Sequence, residues 1–463
     1  MKELNNVIDL KNNLTNDFID FLWDFSKCEI NEKIKTEIHF SLVDFLSAYF
    51  AGIKIGDSKI KNLINLIDSS DNYHSLGIQQ KLSLENVALV NGIIGHYAEL
   101  DDGHRKAMLH PGVVIFSSLL AWHQKHPISS HNFYKAVLVG FETCIRLAES
   151  TQPNAKLKGF HATGVFGSIG AAVACAVAAD STKLQLKNTL SAAVTSASGI
   201  LRVIKNTSEL KPFNVGNAAK NAISAAQLGI ADFSGPIEVL DGDLGFLSMY
   251  DNNFDKKLLL EINNKPKLFE IYRKPYAACR HCHSAIDIAL HYRSKIKIKD
   301  INQVKIRTYG IGIPGHDHTE IVGMNSAKMS TPFSFAVALY SGKAGLRQFE
   351  KEYFENNKII ELTKKISVES DAYFDNHFPD VRGAEIELSL NSGKTMSKKV
   401  DLPKGEPETA LSFEEIQGKF YESAVFLGIK KEKTDKIFLS CTDSNIDLNC
   451  VLRNLQDLDL LKN

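Results

Sequence analysis

The sequence has no surplus of either charge, no disulfide framework and no apolar run long enough for a bilayer. Lysine plus arginine and aspartate plus glutamate number 54 each in 463 residues, so the formal net charge is zero. Nucleic-acid binders carry a basic surplus or stripe, and neither is present, which sets that class aside. Seven cysteines, an odd number at scattered positions, lack the spacing of a secreted disulfide scaffold. The N-terminal stretch to Phe18 mixes polar and apolar residues without a hydrophobic stretch of its own, so no signal peptide is readable there. The longest low-polarity stretch, Val165 to Ala179, is interrupted by Gly167, Ser168 and Gly170 and is too short to span a membrane. There is no internal repeat and no low-complexity tract. These absences point to a reduced, cytoplasmic protein with neither a nucleic-acid nor a membrane partner.

What remains is an ordinary globular composition, 44% hydrophobic and 23% charged, in a chain roughly two to three times the length of one domain. The first part reads as helices, because apolar residues recur at three- and four-residue spacing. Ile38, Leu42, Phe45, Leu46 and Tyr49 form one such face, and Leu84–His96, Val113–Trp122, Phe133–Leu147 and Leu184–Leu201 behave alike. Gly164, Gly167, Ala171 and Ala174 share one face after His161, predicting a central helix approached closely by its neighbours. The period then changes. Val304, Ile306 and Thr308 alternate with Lys305 and Arg307, and Ala384, Ile386, Leu388 and Leu390 repeat the alternation before an Asn391-Ser392-Gly393 turn into Thr395–Val400. Helical segments follow Ser334 and precede Glu369, and Ser412 with Glu414 and Glu415 opens another helix. The expected fold is mostly α with an α+β insertion. Residues 1–268 and 401–463 would form a discontinuous helical domain, with a smaller α+β domain over 269–400.

Five segments combine ionisable groups with glycine or proline. The first runs from His96 through Glu99, Asp101, Asp102 and His104 to His110-Pro111-Gly112. Its carboxylates and imidazoles suit a metal or an acid–base site in which an Asp fixes a His tautomer; solvated charges at a helix end are the plainer alternative. The second, Gly159-Phe160-His161-Ala162-Thr163-Gly164, puts a histidine at a helix N-terminus, where the dipole disfavours protonation and a neutral imidazole could act as a base; a capping or packing histidine is the plainer alternative. The third is Lys211-Pro212-Phe213-Asn214-Val215-Gly216, and the fourth, Gly235 to Leu247, is turn chemistry. The fifth, Arg273-Lys274-Pro275-Tyr276-Ala277-Ala278-Cys279-Arg280-His281-Cys282-His283, has the spacing of a haem attachment site but no export signal. Zinc is set aside there because a structural site draws on two separated pairs, and no second Cys/His pair of comparable spacing exists, Cys441 and Cys450 standing alone. What remains is a cationic stretch suited to carboxylates.

In this order, and over essentially the whole chain, the five segments resemble the MmgE/PrpD family, whose members include 2-methylcitrate dehydratase, cis-aconitate decarboxylase and iminodisuccinate epimerase. The resemblance implies a large helical domain built from both chain ends, an α+β lid, a homodimer, no cofactor, and a site in the cleft between the domains. Family site positions fall on Asp101, His110, His161, Lys211 and Lys274, with His104, Tyr276, Arg280 and His281 as substrate-binding residues. Three departures stand out. Gly103 replaces a threonine common in relatives, Lys211 to Gly216 replaces a Lys-Arg-Leu-His-Ala-Gly form, and Cys279 to His283 carries an extra histidine and cysteine. The chemistry implied is proton abstraction beside a carboxylate of a small polycarboxylate. His161 serves as base, His110, oriented by Asp101, as acid, and Lys211, Lys274 and Arg280 supply positive charge. Dehydration is the expected outcome; epimerisation or decarboxylation could use the same groups. A non-catalytic carboxylate-binding dimer is the alternative from another class.

Overall fold

The computed structural model describes residues 13–67, 72–204, 208–261 and 265–461. The first twelve residues of the stretch read for a signal peptide lie outside them. The helices begin where small polar residues cap them. Asn31 opens Glu32–Leu66, Ser83 opens Leu84–Tyr97, Ser129 opens Ser130–Glu149, and Ser412 opens Phe413–Leu427 in a reciprocal capping box with Glu415. Each cap accepts a backbone N–H that the first turn otherwise leaves unpaired.

A large apolar core is assembled from helices between Leu14 and Ile271 together with residues Leu411 to Leu460 from the other end of the chain. At its centre lies Ala162–Ala178, every residue of which is buried. It packs against Ser130–Glu149, Pro111–Lys125 and Lys211–Ile230. Its small residues permit this closeness: a Cβ on Gly167 would meet Val114, and one on Gly170 would meet the Gly140 carbonyl oxygen at 2.6 Å. A second core gathers Ala277 to Leu388 around the helix Thr331–Ser341 and a four-stranded sheet. The sheet order is Ile366–Ser370, Ile301–Thr308, Ala384–Leu390, Thr395–Val400; the first pair is parallel and the others antiparallel. The helix Asn357–Thr363 lies before Glu369 as the sequence reading had it, and the strand Ile366–Ser370 that follows it was not read.

The helix Glu32–Leu66 is the one described helix long and apolar enough to cross a membrane by length and composition, and 83% of its apolar window is buried inside the protein. The sequence reading, which took Val165 to Ala179 as the longest low-polarity stretch, did not single it out. Asp44 is fully buried and accepts a hydrogen bond of 2.6 Å from Lys419. Ala48 and Ala51 of this helix belong to the second core, whereas most of its apolar residues belong to the first.

Candidate active site

Two histidines occupy equivalent positions at the ends of neighbouring helices. His110 is the N-cap residue of Pro111–Lys125 and His161 that of Ala162–Ala178, and neither side chain is used to cap its helix. Both line a cavity of about 510 Å³ together with Glu99, Lys156, Arg202, Lys211, Lys274 and Arg382. The imidazoles are therefore released from local structure and point their chemistry at a shared space.

Their tautomers follow from their partners. His110 Nδ1 lies 2.5 Å from the Asp102 carbonyl oxygen, which can only accept, so Nδ1 carries the proton and the Nε2 lone pair is free. Asn214 Nδ2 donates to the Ile200 carbonyl oxygen at 3.1 Å, which fixes the amide's orientation. The same Nδ2 lies 3.2 Å from His161 Nδ1, making that nitrogen the acceptor and putting the proton on Nε2. Burial, with the charges of nearby Lys211 and His96, holds the His161 imidazole well below its ordinary value. Burial brings His110 down to about 3, Lys274 adding to the effect and Asp101 opposing it. Both rings are neutral near pH 7.

The acidic loop does not act as the spacing suggested. Asp101 places Oδ2 at 2.6 Å from His96 Nδ1 and only 3.5 Å from His110 Nδ1, so it orients His96 rather than His110. Burial alone would raise the Asp101 carboxyl, but His96, His110 and Lys274 outweigh it and keep it ionised. Glu99 joins the two lysines. Its Oε1 accepts from Lys211 Nζ at 2.5 Å, its Oε2 is 3.7 Å from Lys274 Nζ, and its backbone carbonyl accepts from Lys274 at 2.9 Å. Burial opposes ionisation here too, yet Lys211, His96 and Lys274 hold this carboxyl far below the usual range. Glu99 also sits at φ 57°, a left-handed backbone that is uncommon for a side-chain-bearing residue and is maintained by these contacts.

Lys274 reaches this loop because Gly103 and His104 pair antiparallel with Tyr272 and Ile271. A Cβ on Gly103 would lie 2.3 Å from the Tyr272 hydroxyl, so the glycine in place of threonine makes room for that tyrosine. Asn214, standing where the common form has histidine, gives the second departure a purpose as well, whereas Gly216 is shared by both forms. Asn214 sets the His161 tautomer, and Gly216 lets Lys211–Ile230 cross Leu84–Tyr97 at Gly92, delivering Lys211 to Glu99.

Asp101, His110, His161, Lys211 and Lys274 thus meet in one place, but His104 and Tyr276 do not join them. His104 Nε2 lies 3.2 Å from Glu270 Oε2, in a buried group completed by Glu149 and Lys267. Tyr276 donates to Asp287 at 2.6 Å, away from the cavity. Arg280 lines the cavity, but its guanidinium is committed to Glu406 and to the carbonyls of Pro403 and Lys404. His281 lines the cavity with Nδ1 held 2.7 Å from the Tyr309 hydroxyl. Residues the sequence reading did not place in the site are His96, Glu99, Lys156, Arg202, Asn214, His316 and Arg382. Lys156 is brought down to about 8, first by burial and then by the charge of Arg382. Glu99 and His96 stood inside the acidic motif and could have been found there; Lys156, Arg202 and Arg382 belong to no motif.

A helical core thus presents two oppositely protonated imidazoles to a cavity lined by Lys156, Arg202, Lys211, Lys274 and Arg382, an arrangement chemically able to exchange protons with a bound anionic molecule. The chain belongs to the MmgE/PrpD family: the MmgE/PrpD N-terminal domain matches residues 16–259 and the MmgE/PrpD C-terminal domain residues 276–444. It is 25% identical over 400 residues to the cis-aconitate decarboxylase of Homo sapiens, covering 83% of this chain and 82% of that protein. Identity to the cis-aconitate decarboxylase-like protein oryM of Aspergillus oryzae is 24% over 356 residues, 71% of this chain and 73% of the relative. With the cis-aconitate decarboxylase of Aspergillus terreus it is 22% over 360 residues, 72% and 73% of the two chains.

Proposed function

We propose that this protein is a lyase that moves protons on a small di- or tricarboxylate, acting as a hydro-lyase on a hydroxy acid in the manner of 2-methylcitrate dehydratase. The observation that carries this reading is the opposed tautomers of His110 and His161 at one cavity. The roles assigned from sequence then exchange places. His110 Nε2 takes the proton from the carbon beside a carboxylate. Lys211, Lys274 and Lys156 supply the positive charge that such a weakly acidic position needs as negative charge develops. His161 Nε2–H gives its proton to the departing hydroxyl, so the carbon–oxygen bond breaks and water leaves. Among the described residues Glu99 is the one carboxylate on the cavity wall, and its pairing with Lys211 leaves the lining cationic and suited to more than one substrate carboxylate.

A second reading is favoured by the relatives, which carry the name of a decarboxylase. There carbon dioxide leaves and His161 delivers the proton to carbon. Epimerisation needs the proton removed and returned on opposite faces by the same pair. Proton NMR in deuterium oxide across a panel of hydroxy and unsaturated polycarboxylates separates these. Loss of water with deuterium exchange beside a carboxylate is expected. Loss of carbon dioxide with one deuterium gained selects the decarboxylase, and exchange without net loss selects the epimerase. No exchange or turnover on any polycarboxylate would leave a carboxylate-binding protein and sink the enzyme reading. The proposal includes residues 269–400 closing as a lid on the helical part, a homodimer and a cytoplasmic setting. Ile200, Leu210 and Phe213, close in sequence to the cavity-lining Leu201 and Lys211, are exposed and compatible with a partner surface.

A further inference from the structure

Among the described residues, three groups of side chains bring metal-ligating atoms within reach of one another. His96, Asp101 and His110 belong to the centre already described. His104, Glu149 and Glu270 are neutralised by Lys267, 2.8 Å from Glu149 and 3.2 Å from Glu270. The third group, Cys279, His281 and His316, has no such occupant. Cys279 Sγ lies 3.1 Å from His316 Nε2, and the rings of His281 and His316 meet edge to face at 4.8 Å. One donor atom from each lies within 4.8 Å of the other two, and all three residues line the large cavity.

A tetrahedral zinc ion, with about 2.3 Å to sulfur and about 2.0 Å to nitrogen, sets its ligand atoms roughly 3.3–3.5 Å apart; the Cys279–His316 pair at 3.1 Å is already near that spacing, and the His281 donor, within 4.8 Å of both, has only to move inward. Two observations separate it from ordinary packing. The Tyr309 hydroxyl holds His281 Nδ1 and leaves Nε2 free, the outer-shell support that metal-bound imidazoles generally have. His316 is 4% exposed, and its two nitrogens have a single partner among the described residues, the Cys279 sulfur. A thiol is a weak hydrogen-bonding group with which to satisfy a buried ring. A cation shared by that sulfur and nitrogen replaces the weak contact with two ligand bonds.

We propose that Cys279, His281 and His316 form a three-ligand site for a zinc-class divalent cation whose fourth position opens into the cavity and accepts an anionic oxygen. A thiolate with a divalent ion leaves one net positive charge, and Lys156, Lys211 and Arg382 near His281 add to it. That surrounding field selects an anion, such as a carboxylate, for the open position. The zinc reading set aside from sequence lacked a second pair; the structure brings His316 in from a distant loop and does not use Cys282 or His283. Three protein ligands and one open position are the pattern of an exchangeable rather than a structural site. The inference needs only these side chains and does not depend on the proton-transfer reading.

The test uses the full chain, stripped by chelator and titrated with Co²⁺ alone, then with Zn²⁺ as competitor. One equivalent of Co²⁺ should produce a thiolate-to-cobalt charge-transfer band and the intense visible bands of a tetrahedral ion, and Zn²⁺ should abolish both. Cys279→Ser should remove the charge-transfer band, and His316→Ala should weaken Zn²⁺ binding about tenfold or more. Tyr309→Phe, which leaves all three ligands in place, should weaken it about 10–100-fold. His318→Ala, outside the cluster, should change nothing. Circular dichroism of each metal-free variant identifies any that fail to fold, and Tyr309→Phe then carries the comparison. The absence of a stoichiometric band in the native chain, or the same band and affinity in folded Cys279→Ser, would overturn the proposal. Because the readout is metal binding, either result leaves the NMR assay of proton transfer to succeed or fail by itself.

Discussion

His104 and His110 belong to the same motif and have different surroundings, which a substitution at each should expose. His110→Ala and His161→Ala should each lower kcat by about 10²–10⁴-fold with the fold retained, measured by turnover and circular dichroism. Unchanged turnover in either would remove it from the proton path. His104→Ala leaves Glu149 and Glu270 short of a partner and should lower stability by about 1–3 kcal/mol while kcat is retained, measured by denaturant unfolding beside turnover. Because burial keeps both catalytic imidazoles neutral, the acid limb of kcat/KM, corrected for substrate ionisation, should fall below pH 5 rather than near 6.5. An acid limb centred on 6.5 would show that neither imidazole titrates as its surroundings require. At this scale the ordered motifs led to His110, His161, Lys211 and Lys274. Asn214 and Glu99 were printed in the same motifs but unassigned, since a tautomer-setting amide and a bridging carboxylate are defined by partners far along the chain. Lys156 and Arg382 had no local signature at all.

Among the elements, the helices were the most legible, because most keep an apolar face and several open on a polar cap. Leu84–Tyr97 lies within a residue of the segment Leu84–His96 that periodicity marked, and Phe413–Leu427 begins where Ser412 was read as its cap. The strand Ile366–Ser370 was missed because it is short, lies at the sheet edge and shows only Ile366 and Val368 as an alternation. The crossing of Leu84–Tyr97 over Lys211–Ile230 matters most for the site. A Cβ on Gly216 would stand 2.4 Å from the Leu89 carbonyl oxygen. Gly216→Ala should therefore push these helices apart, lower stability by about 1–3 kcal/mol and separate Lys211 from Glu99. A thermal shift assay and KM read the two effects; an unchanged Tm would mean that the crossing yields without strain.

For the molecule as a whole, the buried histidines set a direction of pH sensitivity. His39, His110, His123, His161, His281 and His283 are all held below the ordinary imidazole value, chiefly by burial. The unfolded chain takes up protons on them below about pH 6.5 while the folded chain resists, so acidification favours unfolding through that window. Glu99 and Asp101 continue the loss at lower pH, since their ionised forms are favoured by the fold. Tm should fall steadily from pH 7 to pH 5, and a flat profile would contradict these assignments.

The helix Glu32–Leu66 adds a consequence of another kind. Ala48 and Ala51 lie in one core, most of the helix's apolar residues in the other, and Lys419 from near the chain end grips its buried Asp44. Neither half can melt while that shared rod stays helical and intact, so heat should be absorbed in a single calorimetric endotherm. Limited proteolysis should likewise release no stable half-molecule before the whole chain is digested.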